Sequence, residues 1–151
     1  MKSIAGLKKE AIVLLQKLIN TPSFSSEEDK TAAYIKLWLE DHGIMCYQDN
    51  NNVYAINKYE DPDKPYLLLN SHHDTVKPNS GYSRNPNEAK IEDGKLFGLG
   101  SNDAGGALVC LLAAFVYFYE TKDMAYNLVV AATAEEETSG TKGLNLSLIH
   151  I

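Results

Sequence analysis

Basic residues are in short supply in this chain. Its 151 residues include 14 Lys and Arg against 20 Asp and Glu, for a formal charge of −6. No basic cluster is longer than Lys8-Lys9, so the electrostatic footprint of a nucleic-acid binder is missing. Cysteine is scarce too. Cys46 and Cys110 sit among apolar neighbours with no CxxC spacing. They read as buried free thiols, which fits a reducing cytoplasm. The N-terminal stretch has neither an apolar h-region nor a small-residue cleavage site, so no export signal is expected and the predicted location is cytoplasmic. The longest stretch nearly free of polar groups, residues 104–119, is shorter than the roughly 20 residues that cross a bilayer. It begins at a Gly-Gly pair, and a buried helix packed on a sheet accounts for it better than a membrane span. Hydrophobic residues make up 44% of the chain and charged residues 23%. That balance and length suit one globular domain with a real core. There is no internal repeat and no low-complexity segment.

The hydrophobic spacing alternates between helical and strand periods. Leu7, Ala11, Leu14, Leu15 and Leu18 form one helical face behind Ser3 as N-cap, and Thr21-Pro22-Ser23 ends that helix. Ser25 with Glu28 has the spacing of a capping box for a second helix. Its apolar face is Ala32, Ile35, Trp38 and Leu39, and Gly43 closes it. Residues 44–47 and 53–56 read as short strands around a turn of Asp49 and three asparagines. A buried strand is expected at 66–70, a long polar loop at 78–93 and a short strand at Lys95–Phe97. A helix at 104–120 and another buried strand at Asn127–Thr133 follow. Continuous apolar strands separated by helices predict an α/β fold with a mixed, partly parallel sheet flanked by helices.

Three polar clusters fall at the ends of these elements. His72, His73 and Asp74 follow the apolar run Leu67-Leu68-Leu69. In a turn, positions 72 and 74 can face one way, so the pair suits either a metal site or a hydrogen-bonded polar turn. Asp103 lies inside "GLGSNDAGG", where glycines permit close backbone approach. It suits a helix N-cap or a ligand position. A nucleotide loop is disfavoured, because the third glycine and the lysine of the known phosphate motifs are missing. Glu135, Glu136 and Glu137 end the apolar run "NLVVAATA". Three like charges at one point need water or a cation to stabilise them. They read either as a solvated helix start or as a metal ligand beside a general base. Open α/β sheets gather ligands at the carboxyl ends of their strands, so convergence of the three clusters on one edge is expected.

The stretches "LNSHHDTVKP", "LFGLGSNDAGG" and "ATAEEETSG", in this order and spacing, resemble the acetylornithine deacetylase / succinyl-diaminopimelate desuccinylase family. Aminoacylase, zinc carboxypeptidases and dipeptidases belong to the same family. The likeness runs over about residues 5–145, with acetylornithine deacetylase the closest in pattern. It implies the N-terminal part of a zinc-exopeptidase-like catalytic domain over residues 1–151, without the lid domain. Two zinc or cobalt ions are implied, with His72 on one, Glu137 on the other and Asp103 bridging. Asp74 would orient His72, and Glu136 would be the general base and then acid. His73 would be a spacer, and Glu135 would stand outside the chemistry. A register shifted back by one glutamate is the alternative. The resemblance also implies a cis peptide between Asp103 and Ala104. Leu99 departs from the family, which commonly carries arginine there.

The implied substrate is a small N-acyl amino acid, as in arginine biosynthesis, with no nucleic-acid or membrane partner. A desuccinylase or a dipeptidase or carboxypeptidase of the same family is the alternative. Each metal is expected to take a further ligand from beyond residue 151, with homodimerisation through the lid domain. On that expectation the 151 residues alone form an inactive fragment with an open sheet edge, and residues 146–151 depart from the pattern as a non-native tail. His150 is not expected to stand in as a ligand.

Overall fold

Strand β6, Asn127–Thr133, is the centre of the architecture, with all seven residues buried. A run with no polar face fits a strand enclosed on both sides. In the computed structural model, which describes residues 3–143, β6 pairs in parallel with β3, Tyr66–His72, in a register that sets His72 opposite Thr133. On its other side it pairs antiparallel with β2, Asn52–Ile56. Strand β1, Tyr47–Asp49, completes a mixed four-stranded sheet in the order β1-β2-β6-β3. This is the mixed, partly parallel α/β sheet that the apolar spacing predicts.

Three helices supply the core: α1, Ile4–Ile19; α2, Asp29–Asp41; and α3, Gly106–Phe118. Leu14, Leu15 and Leu18 of α1 join Ile35 and Leu39 of α2 and Leu108, Leu112 and Phe115 of α3 in one cluster with alternate β6 residues Leu128, Val130 and Ala132. The strand's period of two therefore selects which side chains meet the helices. One helical stretch, Ser101–Phe118, is long and apolar enough by composition to cross a membrane. Its Leu108, Val109, Leu112 and Phe115 are buried in the protein core. Burying each such side chain contributes about 1.5–3 kcal/mol.

One local expectation holds and several change. Ser3 caps α1, accepting from the Gly6 N–H. The Ser25–Glu28 capping box does not form, because Ser25 Oγ donates 2.7 Å to Asp74 instead. A buried carboxylate is the stronger acceptor. Trp38 stays partly exposed, and Thr31 takes the buried place on α2. Both cysteines are free, but Cys110 is exposed on α3 and only Cys46 is partly covered. The loop at 78–93 is shorter than expected. Its end forms β4, Lys90–Glu92, in a hairpin with β5, Lys95–Phe97. The signal was the Asp93-Gly94 pair, whose φ values of 50° and 73° are those of a tight hairpin turn. His150 lies outside the described residues.

The loop from β5 to α3 lies against the end of α1. Gly98 has φ 147°, and a Cβ there would overlap Ile19 Cγ2. At Gly105 a Cβ would stand 2.6 Å from the Gly100 carbonyl oxygen and 2.8 Å from Leu15 Cδ1. The close approach that the glycines permit is thus to α1 and to the loop itself. We expect Gly98→Ala to cost about 2 kcal/mol in urea denaturation through overpacking. Gly43→Ala, where φ is 73° but the space is open, is expected to cost about 1 kcal/mol from backbone strain alone.

Candidate metal centre

The parallel pairing of β3 with β6 brings the ends of both strands to one edge. His72 is the last residue of β3, and the glutamate run follows β6 directly. Asp103 enters from a kinked turn, Ser101–Gly105, that leads into α3, and its peptide bond to Ala104 is cis. One donor atom from each of His72, Asp103 and Glu137 lies within 4.8 Å of the other two. His72 Nε2 is 3.2 Å from Asp103 Oδ1 and 3.7 Å from Glu136 Oε2. Glu136 therefore stands beside the triad. Glu135 turns away, accepting from Ser26 Oγ at 3.0 Å and from the Lys142 N–H at 3.3 Å.

Asp74 holds this edge together. It is fully buried. Its Oδ1 faces His72 Nδ1 at 3.2 Å and accepts the Glu136 N–H at 3.1 Å. Its Oδ2 accepts Ser25 Oγ at 2.7 Å and the Glu137 N–H at 3.1 Å. Burial alone would raise the Asp74 pKa, but the bonds from His72, Ser25 and the two N–H groups overcome it and hold the carboxyl at about 2. The hydrogen bond to Asp74 in turn lifts His72 to about 9, against the opposing effect of burial. The Glu137 carboxyl is raised, first by desolvation and then by the neighbouring Asp103 charge.

His73 is more than a spacer. Its buried ring lies 2.9 Å from Thr31 Oγ1 on Nδ1 and 2.9 Å from the Asn51 carbonyl oxygen on Nε2. A carbonyl only accepts, so Nε2 carries the hydrogen and Nδ1 accepts from Thr31 in the neutral ring. Burial lowers its pKa, which favours that neutral form.

The donor set fits a divalent cation. One imidazole and two carboxylates, with a third carboxylate adjacent, are hard or borderline ligands of the kind that zinc accepts. They also place several negative charges close together with no lysine or arginine among them, so a cation relieves their repulsion. An open cleft of about 370 Å³ adjoins the triad, lined by Thr75, Val76, Tyr82 and Asn102 beside Asp103 and Glu137. A larger hollow of about 650 Å³, between Arg84 and the β4–β5 hairpin, contains none of the triad. The structure brings together the three residues that the resemblance implies as ligands, and it adds a link from Ser25 to Asp74 that carries no local signal in the sequence. The two residues are 49 positions apart, and Ser25 carried a plausible local role as a cap.

A family model described as "Peptidase family M20/M25/M40" matches residues 68–149. The chain is 33% identical over 142 residues to a putative [LysW]-lysine/[LysW]-ornithine hydrolase of Pyrococcus abyssi, covering 92% of this chain and 37% of that protein. It is 26% identical over 145 residues to a succinyl-diaminopimelate desuccinylase of Rickettsia bellii, covering 91% and 37%. Among solved structures it superposes on the M20 family metallo-carboxypeptidase Sso-CP2 of Sulfolobus solfataricus with a TM-score of 0.70 and 27% identity, over 85% of this chain and 31% of that one. The chain thus spans about a third of the length of these relatives, 37% of the two hydrolases and 31% of the carboxypeptidase.

The His72–Asp74 pair sets a pH dependence for the metal-free chain. His72 has its pKa raised from 6.5 to about 9, so its stabilisation is complete below 6.5 and is lost as pH rises through about 9. Asp74 has its pKa lowered from 3.8 to about 2, so its stabilisation is present above 3.8 and is lost as pH falls through about 2. NMR titration of the imidazole is expected to show a midpoint near 9 that moves back towards 6.5 in Asp74→Asn. An unmoved midpoint would remove Asp74 as the cause.

Proposed function

Because the chain belongs to peptidase family M20/M25/M40, we propose that it forms the metal-binding part of an amide hydrolase that removes an acyl group from an N-acyl amino acid. The carrying observation is the convergence of His72, Asp103 and Glu137 at one sheet edge, with Glu136 alongside. In this reading His72 and Glu137 would each hold one ion of a zinc pair, or a cobalt pair, and Asp103 would be shared between them. Metal bound there would supply Lewis acidity for the amide carbonyl and would acidify water.

The chain's own residues do the rest. Asp74 keeps the His72 hydrogen on Nδ1, which leaves the Nε2 lone pair for metal. Glu136 accepts a proton from the water that attacks the acyl carbonyl. It then donates that proton to the amine nitrogen as the C–N bond breaks, which restores the carboxylate. The cleft beside Tyr82 and Asn102 has room for a small acyl group.

Acetylornithine is the substrate favoured by the motif pattern, with arginine biosynthesis as its setting and the cytoplasm as its location. The relatives named for [LysW]-ornithine hydrolysis and succinyl-diaminopimelate desuccinylation support an amide of an amino acid that carries a second amine. Dipeptide cleavage is the competing choice, supported by the carboxypeptidase likeness. Dimerisation through a lid domain belongs to the same proposal.

Hydrolysis of acetylornithine, succinyl-diaminopimelate and a dipeptide by a full-length version, with and without added zinc, tests the reading. Glu136→Gln is expected to lower kcat by about 10²-fold or more with zinc affinity retained. Full activity in that variant would exclude Glu136 as the proton carrier, and activity that survives metal removal would exclude the metal chemistry.

A further inference from the structure

Glu28 lies outside the triad, and its spacing from Ser25 suggests nothing beyond a helix cap. The structure gives it different partners. Its side chain is completely buried. Oε1 accepts the Ser26 N–H at 2.8 Å and the Glu135 N–H at 3.1 Å, while Oε2 accepts Asn51 Nδ2 at 2.9 Å. The following two N–H groups, of Glu136 and Glu137, both go to Asp74. Three successive N–H groups of the glutamate run therefore end on two buried carboxylates.

The geometry at Glu135 explains why the first of these bonds matters. This residue has φ 56°, a left-handed conformation that non-glycine residues seldom adopt. A charge-assisted bond to its N–H holds the peptide in that conformation. The chain then bends so that Glu136 and Glu137 face His72 and Asp103, and the Glu135 side chain turns outward. Glu28 itself is fixed by its neighbours. Its backbone carbonyl accepts the Ala32 N–H at 2.9 Å, and Asn51, which donates to its carboxylate, also accepts the His73 ring at 2.9 Å through its own carbonyl.

We infer that Glu28 is a positioning residue for the proposed hydrolase, holding the Glu135 peptide so that Glu136 and Glu137 are aimed at the metal centre. The inference rests on the metal-centre reading for its functional consequence. Its structural half, the hold on the glutamate run, stands separately.

Glu28→Ala and Glu28→Gln separate positioning from packing. The glutamine keeps one oxygen for Ser26 and Glu135, and the Asn51 amide can turn over to meet its nitrogen. Amide hydrogen exchange, zinc titration calorimetry and amide hydrolysis are measured on a full-length version of the wild type and of both variants. In Glu28→Ala, exchange at Glu135, Glu136 and Glu137 is expected to rise about tenfold while the Val129 and Val130 amides of β6 stay unchanged. Zinc affinity is expected to fall about tenfold or more, with kcat reduced and KM held. Glu28→Gln is expected to restore exchange and affinity to within about threefold of wild type. If Glu28→Ala does not fold, Glu28→Asp, which withdraws the carboxylate by one methylene, is expected to give the same local pattern. Unchanged exchange at 135–137, or an equal rise across β6, would overturn the inference. Failure of the full-length wild type to bind zinc would instead overturn the metal-centre reading, and the exchange result would still decide the role of Glu28.

Discussion

A carboxylate removed from water must find donors inside the protein, and Asp74 meets this demand with groups from three separate segments. Its partners are the His72 ring at the end of β3, the Ser25 hydroxyl between α1 and α2, and two backbone N–H groups beyond β6. Leaving any one of them out strands part of a buried charge, which costs far more than an exposed hydrogen bond contributes. The segments therefore have to arrive together. The parallel register of β3 with β6 is what permits it, because His72 and Thr133 are level and the chains leave the sheet side by side. Solvation of one side chain thereby couples sheet topology to the geometry of the edge.

The same arrangement sorts the acidic residues by function. Asp74 and Glu28 are buried and saturated with donors, so their charges are spent on holding backbone. Asp103 and Glu136 are 78% and 61% exposed at the side chain and lack comparable partners. Their contact is His72, itself already committed to Asp74 on its other nitrogen. Desolvation and the Asp103 charge both raise the Glu137 pKa. Charges that cannot satisfy one another are a poor stabilising device and a good ligand set.

Much of this was legible in the sequence, for a physical reason. Residues 127–133 form a strand with the predicted bounds because an unbroken apolar run bounded by polar turns has few other ways to bury itself. His72, Asp103 and Glu137 were visible because each stands where such a run, or a glycine-rich loop, abruptly becomes polar. The β4–β5 hairpin was missed because its strands are three residues each and largely exposed, which leaves only Asp93-Gly94 as a signal. Glu28 was misread because two of its three carboxylate partners are 23 and 107 positions away. A local motif with a familiar spacing had already offered it a role, and the buried Asp74 then claimed the serine that the motif needed.

Leu99 shows how the third side of the edge is fixed by different means. The resembling family commonly places arginine here, and in this chain the position is 7% exposed, next to glycines that lie on α1. The Leu99 N–H donates 2.7 Å to the Pro86 carbonyl oxygen, and close contact of Gly98 with Ile19 and of Gly105 with Leu15 seats the loop on the helix. An arginine in so covered a place would require an acceptor for each N–H and would bring a positive charge near Asp103. Leucine does neither. The Asp103 loop is thus anchored by apolar contact and backbone shape, whereas His72 and the glutamate run are anchored by buried carboxylates. Neither anchor brings a lysine or arginine to Asp103, Glu136 or Glu137, so His72 is the one basic group that they leave beside these carboxylates among the described residues.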